Sequence, residues 1–334
     1  MRRPPLVIAH YDGIELLSEA DIAELDEVAD VLDPRPLGRW DDPRADDLLG
    51  RAEVLLGHWG CPRLDGEMLD RAPGLRLLAY AAGTVKEVIT EEVFARGVRV
   101  TSGSVANAEP VAEYTLAMIL LAGKDVLWRR DVDRDPALRS TRLASEVEPG
   151  NWHKTIGVVG ASAVGRRVIE LLRPFSTLAV ALYDPYVTHD EAAILGVEKL
   201  DLDDLCGRVD ILSIHAPALP ETRHLVGAPQ LAALRTGATV INTARGSLLD
   251  HQALDAELAA GRLYAILDVT DPEPLAADHP LRHRPTAFIT PHLAGSEGTE
   301  LGRLAAFAIE EVRRYATGEP PRNEVSRADL SRLA

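Results

Sequence analysis

Residues 155–172 carry a pattern whose residue types suit holding a phosphate. Thr155-Ile156-Gly157-Val158-Val159 runs into Gly160-Ala161-Ser162-Ala163-Val164-Gly165 and on into Arg166-Arg167-Val168-Ile169-Glu170-Leu171-Leu172. Strand, glycine turn and amphipathic helix, in that order, are the context a G-x-G-x-x-G loop requires. Gly160 permits the tight turn and Gly165 lets the helix pack close to the strand. The helix N-terminus offers free N–H groups and a partial positive charge to a pyrophosphate. Ser162 stands at the second glycine position, where its Cβ takes up room while its hydroxyl can donate to a phosphate oxygen. The next apolar run, Leu178-Ala179-Val180-Ala181-Leu182-Tyr183, ends at Asp184, 24 residues after Gly160 (184 − 160). An acidic side chain near that distance takes the adenosine ribose hydroxyls and repels a 2′-phosphate. The expected ligand is a dinucleotide, NAD rather than NADP; the competing reading makes Asp184 a turn residue before Pro185.

Three more runs pass from apolar strand into polar residues, at the edge where parallel sheets bind ligands. They are Ile241-Asn242-Thr243-Ala244-Arg245-Gly246, Ala265-Ile266-Leu267-Asp268-Val269-Thr270-Asp271-Pro272-Glu273-Pro274, and Phe288-Ile289-Thr290-Pro291-His292-Leu293-Ala294-Gly295. Taken singly, Arg245 reads as a surface ion-pair partner, Glu273 as an exposed loop acid and His292 as a plain loop histidine. Their joint placement at strand ends argues against that. His215, after Ile211-Leu212-Ser213-Ile214, reads as a cofactor wall or a structural residue. His10, His189, His224, His251, His279 and His283 read as loop or surface residues.

The elements that must position these residues alternate along the chain, as in an α/β protein with parallel sheets. Strands are expected at 6–9, 53–56, 75–79 and 97–100, and helices at 15–29 and 65–71. A polar turn at 101–104 then leads into a long helix over 108–123. The charged stretch 124–151 reads as a helix end plus a connection, either a solvated arm or a subunit-contact arm. A second series follows, with strands at 155–159, 179–183, 210–214, 238–242, 263–267 and 286–289. Its helices fall at 165–173, 189–194, 201–206, 228–234 and 250–260, and a last helix spans 296–317. Six strands separated by helices match two mononucleotide-binding halves.

The three strand-end motifs resemble the D-isomer-specific 2-hydroxyacid dehydrogenase family, in which an arginine in N-x-x-R-G, a glutamate in E-P and a histidine in P-H form the active site. Arg245, Glu273 and His292 match them, and the five-residue spacing from Asp268 to Glu273 is intact. The match also takes in His215-Ala216-Pro217-Ala218-Leu219-Pro220-Glu221-Thr222 and Asn107-Ala108-Glu109-Pro110. The resemblance implies two doubly wound domains, a Rossmann NAD-binding domain (107–294) inserted into a flavodoxin-like substrate domain (1–106 with 295–334). It implies hydride exchange between NAD and a small 2-oxoacid or D-2-hydroxyacid. His292 is then the proton donor and acceptor, Glu273 its orienting partner, and Arg245 the residue that binds the substrate carboxylate or carbonyl. Cofactor contacts fall to Gly160, Ser162, Ala163, Val164, Gly165, Asp184, His215, Ala216, Pro217, Thr222, Thr243, Ala244, Arg245, Asp268, His292 and Gly295, with Asp268 at the nicotinamide end. Gly83 and Thr84 match the family's carboxylate-binding loop, although Val85-Lys86 stand where relatives often carry an Asp-Asn-like pair. Trp59 reads as a substrate-pocket wall or as packing. Thr270 stands where relatives commonly have an aromatic residue.

The 334 residues suit two domains, and 36 Lys plus Arg against 52 Asp plus Glu give a formal charge of −16. That surplus lacks the footprint of a nucleic-acid or anionic-membrane partner. The longest apolar run is too short to span a bilayer, and Met1-Arg2-Arg3-Pro4-Pro5 leads into no signal-peptide pattern. Two cysteines, Cys61 and Cys206, lie far apart without metal-ligand spacing. The expectation is a cytoplasmic protein without a metal, and by resemblance a homodimer. Two rival readings stand beside it, a non-catalytic NAD(H)-sensing module on the same fold and phosphite-type oxidation. Glu273 counts against the formate branch, where a glutamine pairs with the histidine.

Overall fold

Strands β1 (Pro5–Ala9), β2 (Asp30–Asp33), β3 (Val54–Gly57), β4 (Leu77–Tyr80) and β5 (Arg99–Ser102) form one parallel sheet in the order β2-β1-β3-β4-β5. The computed structural model describes residues 2–11, 13–129 and 147–331. The chain divides into two compact units, Met1–Ala108 with Ser296–Leu333, and Glu109–Gly295. The first sheet belongs to the first unit and has flavodoxin-like strand order. β3 and β4 are buried at every residue, as expected of strands covered on both faces. Helix Leu301–Thr317 buries Leu304, Ala305, Ala308, Ile309 and Val312 in this unit's core and stops at Gly318, whose φ is +77°.

The second unit holds β6 (Thr155–Val159), β7 (Ala179–Tyr183), β8 (Glu198–Lys199), β9 (Ile211–Ile214), β10 (Thr239–Asn242), β11 (Tyr264–Leu267) and β12 (Ala287–Ile289). Their order is β12-β11-β10-β9-β6-β7-β8, all parallel. Winding outward in both directions from β6 is the doubly wound dinucleotide topology, with its switch point between β6 and β9. Both sheets have the expected fold class.

Several boundaries differ from the sequence reading. Thr101 and Ser102 belong to β5 rather than to a turn, and the long helix starts at Ser104 instead of 108. Its first free amide is met early, since Ser104 N donates to Ser102 Oγ at 3.2 Å. The first helix is shorter than expected, Glu19–Val28, because Ser18 caps it and Asp21 closes a capping box. β2, β8 and the helices Ala45–Arg51 and Glu91–Ala95 are additional elements. In the 124–151 stretch Val126–Arg129 is helical, while residues 130–146 of the proposed arm lie outside the described residues. Among the described residues, no helix is long and apolar enough to cross a membrane.

Candidate active site

Strand register in the second unit sets the site. Tyr183, Val159, Ile214, Asn242, Leu267 and Ile289 are paired across six neighbouring strands. The next residue on each strand is therefore Asp184, Gly160, His215, Thr243, Asp268 or Thr290, a single row at the carboxyl edge. With neighbouring strands about 4.8 Å apart, the row joins the glycine loop at one end to the segment bearing His292 at the other.

The glycine loop has no room for side chains where the sequence places glycine. Gly160 has φ +97°, and a Cβ there would lie 2.6 Å from Ala216 N; at Gly165 it would lie 2.1 Å from Gly160 O. Ser162 is the N-cap of helix Ala163–Leu172 and accepts a bond from Gly165 N. Its hydroxyl oxygen is thus an acceptor within the helix start, and its proton is still available for donation. The helix buries Gly165, Val168, Ile169 and Leu172, an i, i+3, i+4, i+7 stripe. Asp184 accepts from Ala161 N at 2.7 Å through Oδ2 and from Tyr186 N at 2.8 Å through Oδ1. One carboxylate therefore ties the glycine loop to the end of β7 and also serves the turn at Pro185.

His215 is buried beside this loop, with Nε2 2.8 Å from Ser213 Oγ and Nδ1 unpartnered. Burial lowers its pKa to about 3, so the ring is neutral and does not serve as an imidazolium acid. Thr222 Oγ1 donates to Pro217 O at 2.6 Å and accepts from Leu219 N at 2.8 Å, closing the turn after Ala216. Thr243 Oγ1 lies 3.0 Å from Thr115 Oγ1. Two histidines depart from the surface reading, since His10 and His251 are buried. His251 lies at the start of helix His251–Ala259, and burial lowers its pKa to about 4.

The chemical end of the row is built around Asp268, which is 2% exposed. Its carboxylate accepts from Thr290 Oγ1 at 2.7 Å, Leu293 N at 2.9 Å and Ala294 N at 3.0 Å, and its carbonyl accepts from His292 N at 2.9 Å. Residues 290–294 thereby wrap around one buried side chain. His292 sits in the middle of the wrap with φ +57°, in the sparsely populated left-handed region. Its Nδ1 is 2.6 Å from Glu273 Oε1. A carboxylate only accepts, so Nδ1 carries the proton of this bond and Nε2 is left to exchange one with a ligand. The pair lines a cavity of about 720 Å³, with Thr270, Leu275, Phe288 and Ile289 among its walls. Arg245 is half-buried just past β10, with Nη1 donating to Ala244 O at 2.7 Å. Gly295 ends this unit.

Gly83, Thr84 and Trp59 belong to the first unit. Gly83 follows the end of β4, and Ser102 Oγ donates to its carbonyl at 2.5 Å. A Cβ on Gly83 would meet only Asn107 Nδ2, at an ordinary 3.6 Å, so crowding is not what calls for glycine there. Thr84 Oγ1 accepts from Lys86 N. Trp59, just past β3, packs against both apolar clusters of its sheet and lies 4.5 Å from the His58 ring. Sequence reasoning missed Tyr114, whose hydroxyl is 2.9 Å from Thr290 Oγ1. No motif flagged a tyrosine in the middle of an apolar helix.

Fold and site define a doubly wound dinucleotide-type protein with a histidine–carboxylate pair at the end of its sheet. Residues 119–294 match the family described as D-isomer specific 2-hydroxyacid dehydrogenase, NAD binding domain. A D-3-phosphoglycerate dehydrogenase of Mycobacterium tuberculosis is 34% identical over 325 residues, 96% of this chain and 58% of that protein. A glyoxylate reductase of Aeropyrum pernix is 33% identical over 280 residues, 79% of this chain and 80% of the relative. A crystal structure of a phosphoglycerate oxidoreductase from Rhizobium etli superposes with TM-score 0.79 at 25% identity, covering 98% of this chain and 100% of that one. The chain belongs to the D-isomer specific 2-hydroxyacid dehydrogenase family. It spans 58% of the length of the phosphoglycerate dehydrogenase relative.

Proposed function

We propose that the protein is an NAD-dependent oxidoreductase that interconverts a small 2-oxoacid and its D-2-hydroxyacid. The observation that carries this is the 2.6 Å His292–Glu273 pair at the end of a strand row that begins at the glycine loop. The loop fits a dinucleotide, because Gly160 and Gly165 leave backbone where a Cβ could not stand and the helix they open is capped by Ser162. Asp184 favours NAD over NADP, since a carboxylate repels a 2′-phosphate.

NAD(H), when bound, exchanges a hydride with the substrate carbon. In reduction, His292 Nε2 gives its proton to the carbonyl oxygen as the carbon gains the hydride, and takes it back in oxidation. Glu273 accepts Nδ1–H and so fixes the tautomer, which leaves Nε2 to exchange the proton. Arg245 binds the substrate carboxylate and opposes charge growing on the carbonyl oxygen. Asp268 fixes the segment that carries the acid. In the first unit Gly83 offers bare backbone amide to the carboxylate, Thr84 and Trp59 contribute to substrate recognition, and the protein works as a cytoplasmic homodimer.

The test is NADH oxidation with glyoxylate, pyruvate, hydroxypyruvate and bulkier 2-oxoacids, repeated with NADPH and with His292→Ala. Turnover that prefers NADH and falls about 10²–10⁴-fold in the variant supports the reading. Tight NADH binding without turnover of any oxoacid would identify a binding module instead. Better kinetics with NADPH would overturn the role given to Asp184.

A further inference from the structure

The Tyr114 hydroxyl and the carboxylate of Asp268 are joined through one threonine. Tyr114 Oη lies 2.9 Å from Thr290 Oγ1, and Thr290 Oγ1 donates to Asp268 Oδ1 at 2.7 Å. The threonine hydroxyl has a single proton, committed to a carboxylate oxygen that can only accept. The phenol must therefore be the donor to Thr290. Burial raises the Tyr114 pKa, opposed by the Thr290 bond and reinforced by Asp268 nearby, so the phenol keeps its proton. At the far end of this chain of donors, Asp268 receives Leu293 N and Ala294 N and so grips the residues on the C-terminal side of His292.

Resting on the reading of His292 as the acid–base group, we propose that Tyr114 is a positioning residue for it, acting through Thr290 and Asp268. His292 at φ +57° lies in the sparsely populated left-handed region, and the surrounding bonds help to hold it there. Asp268 supplies those bonds, and the orientation of the Thr290 hydroxyl decides how firmly Asp268 is held. Tyr114 fixes that orientation from the long helix Ser104–Gly123, an element separate from the strands that carry the motifs. Packing alone is satisfied by a phenylalanine ring; the hydroxyl is the part that acts on the site.

The experiment uses the full chain with NADH and the best oxoacid of the panel. Tyr114→Phe is expected to lower kcat about fivefold, the rate equivalent of about one net hydrogen bond, with KM for NADH unchanged. Amide hydrogen exchange at Leu293 and Ala294 should quicken in the same variant. Thr290→Ser should retain activity. Thr290→Val should lower kcat at least as far as Tyr114→Phe does, and adding Tyr114→Phe to that variant should cost nothing more. Unchanged kcat or unchanged exchange in Tyr114→Phe overturns the role of Tyr114 and leaves the proposed function standing. A wild-type protein that turns over no oxoacid, yet shows faster exchange in the variant, overturns the proposed function while the restraint by Tyr114 survives.

Discussion

Asn242 holds Arg245 from behind. Its Nδ2 donates to Arg245 O at 2.9 Å while its Oδ1 accepts from Ala244 N at 3.1 Å, and the side chain doing both is fully buried. The backbone on which the arginine stands is therefore set before any substrate arrives, which is how a binding group avoids an ordering cost at the moment of use. Asn242→Ala should raise KM for the oxoacid about tenfold, as removal of a positioned binding group does. Steady-state kinetics check this, and an unchanged KM would show that the asparagine serves the fold alone.

Glu273 touches no substrate in the proposed scheme and acts through the imidazole. Glu273→Gln keeps an acceptor for Nδ1–H but removes the charge, so reduction should slow about tenfold. Steady-state kinetics in the reduction direction check this, and an unchanged kcat would show that Glu273 does not act through the imidazole.

Two glycines allow a matched comparison. At Gly160 a new Cβ meets backbone 2.6 Å away and φ is +97°, whereas at Gly207, in helix Leu202–Arg208, it meets nothing within 4 Å. Gly160→Ala should destabilise the chain by at least ~1 kcal/mol and abolish NADH binding. Gly207→Ala should stabilise it by ~0.5–1 kcal/mol. Thermal melting with and without NADH separates the two, and equal behaviour of the variants would contradict the loop geometry.

Buried imidazoles make stability depend on pH. Desolvation lowers the pKa values of His58 and His251 to about 4 and of His215 to about 3. In the folded chain these rings stay neutral, while in the unfolded chain they protonate below about 6.5. Unfolding therefore takes up protons between about pH 6.5 and 4. Stability is complete above that window and is lost as pH falls through it, by at most ~1.4 kcal/mol per pH unit for each histidine. Denaturant midpoints at pH 7, 6 and 5 should fall accordingly, and less steeply in His251→Gln. An identical slope in that variant would show that His251 titrates alike in both states.

Strand runs such as Val54–Gly57 and Tyr264–Leu267 announced the fold because strands buried on both faces are apolar throughout. β2 escaped notice because it is a short edge strand that begins and ends with aspartate, and β8 because it is only two residues long. The long helix was read four residues short because Ser104 starts on a bond from the preceding strand, a tertiary detail that periodicity does not carry. In the site, Arg245, Glu273 and His292 stood out through their motifs. Asn242 and Thr290 lay in the same motifs but gained roles only from their partners. Tyr114 lies 176 residues from Thr290 in sequence, and nothing local marks such a pairing.

The row that runs from Asp184 to Thr290 has a consequence for how this chain can change. Side chains on a strand alternate faces with each residue, so the row is a matter of phase. Deleting one residue from β11 would draw Asp268 back by about 3.3 Å and turn it to the opposite face of the sheet, releasing the segment that carries His292. Exchanging the residue at any of those positions but Gly160, where a Cβ would strike backbone, leaves every strand in step. The sheet therefore works as a fixed reading frame. Its chemistry can be rewritten one position at a time, but an insertion or deletion within a strand loses it.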